Sequence, residues 1–237
     1  MTRLEQIREN ERRSHEDVYR NHTLYESGSW LQKPVKTVTE LLPCFEKASE
    51  FCALDLGCGV GRNCIAIARH FTHIPCWIDC VDILPIAIEK LNLNASAYGV
   101  SQSINGIVSP LEDFSISENS YDLVLAVSAL EHIDSRDAFL HKLEEIRSGI
   151  RENGIVCLII NSGVQEFNKL TGTPLPPQFE VNLPTEELQK ILSQAFFGWK
   201  VLKSGVQRQR YEIPRGDLFS DLSSNVVTFV ARNGLEA

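Results

Sequence analysis

The feature that most constrains this chain is a glycine turn set between two apolar segments of different period. Phe51-Cys-Ala-Leu-Asp-Leu56 is a short continuous apolar run, of a length that suits a buried strand. It enters Gly57-Cys-Gly59-Val-Gly61, and the segment from Arg62 to Phe71 then places apolar side chains at 65, 67, 68 and 71, a helical spacing. The rhythm repeats. Cys76 to Val81 reads as a second strand ending at Asp82, and Pro85 to about Tyr98 as a helix. Ser103 to Val108 and Tyr121 to Val127 read as strands three and four. Asp134 to Arg151 reads as a charged amphipathic helix and Gly154 to Ile160 as a fifth strand. Alternation of this kind specifies an α/β fold with a doubly wound, mainly parallel sheet and right-handed crossovers. Near-continuous apolar strands agree with a sheet covered on both faces.

The flanks break this rhythm. Residues 1–48 read as a polar N-terminal helical arm or lid: a charged helix over residues 2–20, a loop with Tyr25 and Trp30, then a helix from Pro34 that ends or kinks at Pro43. Residues 51–162 form the ligand-binding core. Residues 163–237 form a C-terminal, acceptor-side region, with a Pro-rich irregular stretch from Val164 to Glu180 and a helix from Thr185 to Phe197 capped by Thr185. An antiparallel strand pair, Trp199–Val206 and Asn225–Arg232, follows, joined by a polar loop of about 18 residues. A loop that long is often functional. The 237 residues suit a single domain.

Composition narrows the function classes. Net charge is −8, which argues against nucleic acid as the main partner. No run approaches the ~20 apolar residues of a membrane span. The charged start, Met1 to Arg20, lacks a secretory apolar core, so the expected compartment is the cytoplasm. Seven cysteines without a CxxC pair are not a disulfide framework. His70, His73, Cys76 and Cys80 resemble a metal cluster only on paper. On one strand Cys76 and Cys80 stand ~13 Å apart, too far for one zinc. No metal is expected.

The glycine turn admits two nucleotide readings. A dinucleotide fingerprint needs GxGxxG, and the third glycine would fall on Arg62. Asp55, at the mouth of the turn, would repel a pyrophosphate and favour a cationic ligand. S-adenosylmethionine, with an ammonium and a sulfonium and no phosphate, meets that demand. Asp82 stands 21 residues beyond Gly61 at the end of the second strand. It suits a ribose diol, or serves as a carboxylate at a helix start.

Leu54-Asp-Leu-Gly-Cys-Gly-Val-Gly-Arg-Asn63 resembles motif I of the class I methyltransferases, a Rossmann-like family. Val81-Asp-Ile-Leu-Pro85, Leu111-Glu-Asp113, Asn119-Ser-Tyr-Asp122 and Ala129-Leu-Glu-His-Ile133 resemble its later motifs in order. The resemblance implies S-adenosylmethionine as cofactor and S-adenosylhomocysteine as product. It implies Asp55 at the methionine end, with Gly57, Cys58, Gly59 and Asn63 in the turn beneath it. Asp82 would hold the ribose, and Ile83, Leu111 and Glu112 would surround the adenine. Pro110 stands where many relatives have an acidic residue. Val127 would lie beside the methionine moiety, and Trp30 and Lys33 would close the site from the arm, unless Trp30 only packs arm against core.

Methyl transfer is an in-line displacement, and much of its catalysis is positioning. A base is needed only for a protonated acceptor. His132 and Glu131, which follow the fourth strand, are candidates, with a family-typical helix start as the alternative. Glu187-Leu188, Gly198-Trp-Lys-Val201, Glu212-Ile-Pro-Arg215 and Phe229-Val-Ala-Arg232 resemble the ending of the tellurite-resistance (TehB-like) methyltransferases, with Pro214-Arg215 in place of a His-Arg pair. That resemblance implies a small acceptor, anionic or a soft nucleophile. Arg208, Arg210 and Arg215 in one loop suit an anion, or are a solvated basic loop. The competing functions are an NAD-binding oxidoreductase and a non-catalytic S-adenosylmethionine-binding module. Oligomeric state is left open between monomer and homodimer.

Overall fold

The computed structural model describes residues 3–215 and 218–234, and the side chains of residues 4–213 and 219–234. Its centre is one sheet of eight strands: β1 (Phe51–Leu56), β2 (Cys76–Asp82), β3 (Ile104–Val108), β4 (Tyr121–Val127), β5 (Ile150–Asn168), β6 (Pro174–Leu175), β7 (Lys200–Arg215) and β8 (Leu218–Arg232). The order is β3-β2-β1-β4-β5-β8-β7, with β6 paired to the far end of β5. The first five strands pair in parallel, and β8 and β7 add antiparallel. The strand order reverses between β1 and β4, where open α/β sheets bind ligands at the carboxyl ends of their strands.

Helices cover both faces. α3 (Cys64–His70) and α4 (Pro85–Ala97) lie on one, and α5 (Arg136–Gly149) and α6 (Thr185–Ala195) on the other. Strand alternation sorts the core. Ala53, Leu123 and Leu125 face the α3–α4 layer, while Leu54, Leu56, Val124 and Ala126 face the α5–α6 layer. The Ser135 hydroxyl caps α5 by accepting from the Ala138 amide at 3.2 Å.

The N-terminal arm consists of α1 (Arg3–Asn21), α2 (Lys36–Leu41) and short 3₁₀ turns at Trp30–Gln32 and Leu42–Phe45, the second containing Pro43. Intrahelical ion pairs, such as Arg13–Glu9 at 2.7 Å and Arg20–Glu16 at 2.9 Å, line α1. The helix is not merely solvated, for it buries Ile7 and Tyr19 against the body. No described helix is long and apolar enough to cross a membrane.

Three expectations change. The polar loop expected between the last two strands is strand: β7 and β8 pair from Lys200↔Arg232 to Arg215↔Leu218, with a register shift between Val201 and Lys203. Arg208, Arg210 and Tyr211 are exposed on the edge strand, held by a backbone ladder that needs no apolar alternation. β5 runs on to Asn168 through a register shift between Ser162 and Gln165. Thr185 is the first helical residue of α6 and not its cap. Its hydroxyl meets Ser162 Oγ at 2.9 Å and accepts from Asn225 Nδ2 at 3.0 Å.

Candidate active site

The glycine turn sits at the carboxyl end of β1. The Gly57 and Cys58 amides both donate to the Val81 carbonyl, at 2.8 and 3.0 Å, which folds the turn back over β2. Gly57 has φ 73°, and a Cβ there would lie 2.3 Å from Ala129 Cβ. Gly59 has φ 54°, and a Cβ there would lie 2.8 Å from the Tyr19 hydroxyl. Both positions need left-handed backbone and close approach together, so only glycine fits. The Asp82 carboxylate accepts from the Gly59 amide and from the Leu84 amide, each at 2.9 Å. It therefore ties the turn to the start of α4 and retains lone pairs for a diol.

Asp55 is 1% exposed, and among the described residues neither carboxylate oxygen receives a hydrogen bond. Burial raises its pKa to about 7, and Asp82 adds to the rise. Arg62 opposes it, as do the nearby amide and thiol of Cys64, without normal hydrogen-bond geometry. A buried carboxylate with no donor is costly. A cation or a strong donor is what such a group lacks. The Cys58 thiol below the turn is pushed up to about 12 by burial and is inert. Cys76 and Cys80 share β2.

The arm forms a roof. Tyr19 and His15 meet Trp30 edge-on, with ring centres 6.1 and 6.2 Å apart, and the Arg62 guanidinium lies 4.9 Å from the Trp30 ring centre. Trp30 thus packs arm against core, at 42% exposure. Asn63 accepts from the Val35 amide at 3.0 Å, so its carbonyl holds the arm rather than facing the cleft. Lys33 is exposed. Farther along α1, Arg8 pairs with Glu112 and approaches Glu180 at 3.8 Å, and Asn10 donates to Gln178 at 3.1 Å. The helix therefore spans the cleft from the β3 side to the segment before α6. Beside Asp82, Ile83 is 42% exposed and Leu111 is 8% exposed.

The segment after β4 is the opposite wall. Val127 is half-buried, Ser128 has φ 51°, and Ala129 touches the glycine turn. Glu131 and His132 sit in a 3₁₀ turn. Glu131 Oε1 accepts from the Asn161 amide at 3.1 Å and from Asn161 Nδ2 at 2.7 Å, and the Ser224 hydroxyl donates to Asn161 Oδ1 at 2.9 Å. His132 Nδ1 lies 2.9 Å from Glu180 Oε2, and its ring stacks on Phe179 at 5.2 Å. Burial pulls its pKa down, but Glu180 and the acidic neighbours outweigh that and carry it to about 9. The side chain of Arg215 lies outside the described residues.

Asp55, Gly57, Gly59, Asp82, Val127 and Ala129 therefore gather at the ends of β1, β2 and β4, next to the strand-order reversal. Sequence reasoning missed Arg8, His15 and Tyr19, whose only signal is a few apolar residues within a charged helix. It also missed Asn161 and Glu180, which carry no motif.

Residues 53–154 match the model of a methyltransferase domain. Ajmaline N-methyltransferase from Rauvolfia serpentina is 25% identical over 95 residues, 39% of this chain and 31% of that protein. Carboxy-S-adenosyl-L-methionine synthase from Vibrio vulnificus is 31% identical over 104 residues, 44% of this chain and 41% of that protein. The chain thus spans less than half the length of these curated relatives. TehB from Haemophilus influenzae superposes with a TM-score of 0.59 at 18% identity, covering 83% of this chain and 62% of that one. An S-adenosylmethionine-dependent methyltransferase from Listeria monocytogenes superposes with a TM-score of 0.58 at 16% identity, covering 84% and 96%. These superpositions establish the fold. Sheet order, glycine turn and sequence match converge on residues 53–154, which resemble a methyltransferase domain, within a chain that has the fold of these solved structures.

Proposed function

We propose that this chain transfers a methyl group from S-adenosylmethionine to a small-molecule acceptor. One observation carries the reading: the wholly buried Asp55 carboxylate, without a hydrogen-bond donor, at the mouth of a glycine turn. A phosphate ligand would worsen that site and an ammonium would satisfy it. The residues fit the cofactor. Asp55 would take the ammonium, and Gly57, Cys58 and Gly59 would offer a bare backbone surface. Asp82 would take the ribose hydroxyls, with Ile83, Leu111 and Glu112 about the adenine and Val127 beside the methionine portion. When bound, S-adenosylmethionine supplies an electrophilic methyl on a sulfonium. The chain's own contribution is to orient the acceptor and to exclude water beneath α1.

The arm, residues 1–48, serves as a lid in this reading, and Trp30 and Lys33 would close the site from it. The C-terminal region shapes the acceptor side. Equilibrium binding tests the proposal. S-adenosylhomocysteine should bind at micromolar concentration and NAD should not. The reverse result would make the chain an NAD-binding protein. Binding of S-adenosylhomocysteine without transfer to any acceptor would make it a non-catalytic binding module. The anionic-acceptor expectation rested on the tellurite-resistance-like ending and on an arginine loop; Arg208 and Arg210 of that segment stand on the exposed edge strand.

A further inference from the structure

On the reading that the site transfers methyl groups, we propose that Glu131 is the acceptor-recognition residue and proton acceptor, and that the acceptor it selects is a protonatable amine. Glu131 is wholly buried, and its Oε2 has no hydrogen-bond partner among the described residues. Its other oxygen is held by two donors of Asn161, which fixes the carboxylate beside β5, two residues beyond the level at which β4 ends. Asp55 on β1 is level with Leu125 of β4 and Cys157 of β5, and Asn161, which holds Glu131, lies four residues farther along β5, roughly 16 Å from Asp55 between backbones. Ala129, two residues before Glu131, is the side chain that meets the glycine turn. The wall that borders the cofactor cradle therefore leads directly to Glu131.

The chemistry of the free oxygen selects the acceptor. A buried carboxylate oxygen is satisfied by a cation or a strong donor. Among the described residues, the neighbouring cations are engaged by other carboxylates. His132 is tied to Glu180, and Arg8 is shared between Glu112 and Glu180. An anionic acceptor would add a like charge to this acidic wall, whereas an ammonium would neutralise it. The step balances. The ammonium gives one proton to Glu131, and the freed nitrogen lone pair bonds the methyl carbon as its bond to sulfur breaks, with that pair remaining on sulfur. The products are a methylated ammonium, a neutral thioether and a protonated Glu131. Burial pushes the Glu131 pKa upward, so the carboxyl holds that proton more readily than a solvated one.

The alternative is that Glu131 only anchors Asn161 and the turn. Glu131→Gln separates the two, because the amide oxygen preserves both Asn161 contacts and only the free oxygen changes. Wild type and E131Q, each saturated with S-adenosylhomocysteine, would be titrated calorimetrically with benzylamine, phenethylamine and N-methylbenzylamine, and with the matched alcohols, thiols and carboxylates. The same panel would be scored for transfer of labelled methyl from S-adenosylmethionine. We expect amines alone to bind and to be methylated. In E131Q amine affinity should fall at least tenfold and turnover about 10²–10⁴-fold, with S-adenosylhomocysteine affinity and melting temperature preserved. The inference is overturned if no amine binds, if carboxylates, alcohols or thiols are the compounds taken, or if E131Q retains wild-type binding and turnover. Failure of wild type to bind S-adenosylhomocysteine would instead overturn the methyltransferase reading.

Discussion

Replacing Asp55 by asparagine removes a buried charge and keeps the shape, and its consequences can be worked from the structure. The carboxyl is raised from its ordinary value of 3.8 to about 7 by burial. At about 1.4 kcal/mol per pH unit, that interval corresponds to about 4 kcal/mol against the ionised form. The folded carboxyl keeps its proton up to about 7, and the unfolded one loses it near 3.8. Native stability therefore falls as pH rises through that window and changes no further above it. In ligand-free protein, Asp55→Asn should be more stable than wild type by about 4 kcal/mol at pH 8.5 and by about 2 kcal/mol at pH 5. Chemical denaturation at the two pH values reads this difference. Binding should move the opposite way. S-adenosylhomocysteine affinity for wild type should rise with pH up to about 7, at most tenfold per pH unit. Asp55→Asn should bind about 10- to 100-fold more weakly, as expected for loss of a charge-assisted hydrogen bond, with no pH dependence across that window. A variant no more stable than wild type at pH 8.5, with the same affinity and pH profile, would show that Asp55 neither carries an unsatisfied charge nor meets the ammonium.

Gly57→Ala should lose S-adenosylhomocysteine binding and destabilise the fold by about 1–3 kcal/mol. Its Cβ would stand 2.3 Å from Ala129 in left-handed backbone, and calorimetry with a denaturation curve reads both effects. His132 should titrate near 9, and Glu180→Gln should bring it down, as followed by NMR of the ring protons. A wild-type value near 6.5 would dissolve the His132–Glu180 pair. The stability that pair contributes is present below pH 6.5 and lost as pH rises through about 9. Ser135→Ala removes the α5 cap and should cost about 1 kcal/mol in urea denaturation, with ligand binding unchanged.

The parallel half of the sheet was legible because its strands are covered on both faces. Such strands must be apolar along their length, and β1, β2 and β4 have the bounds that Phe51–Leu56, Cys76–Asp82 and Tyr121–Val127 suggested. The glycine turn was legible because left-handed backbone at Gly57 and Gly59 admits few other residues. The β7–β8 ribbon was not. Its outer strand is exposed along nearly its whole length, so a backbone ladder holds Gln207, Arg208 and Arg210 in place without any apolar period to announce it.

The sequence by itself determined which ligand chemistry the cradle suits, since a carboxylate and a glycine turn are local and their spacing is set by one strand and one turn. Only tertiary structure decided that Asp55 is buried without a donor, and that Tyr19 on a distant charged helix stands over Gly59. It alone decided that Asn161, 30 residues away, occupies one oxygen of Glu131 and leaves the other free. Burial and the pairing of one side chain with another are properties of surfaces brought together across the chain, and no local pattern of residues records them.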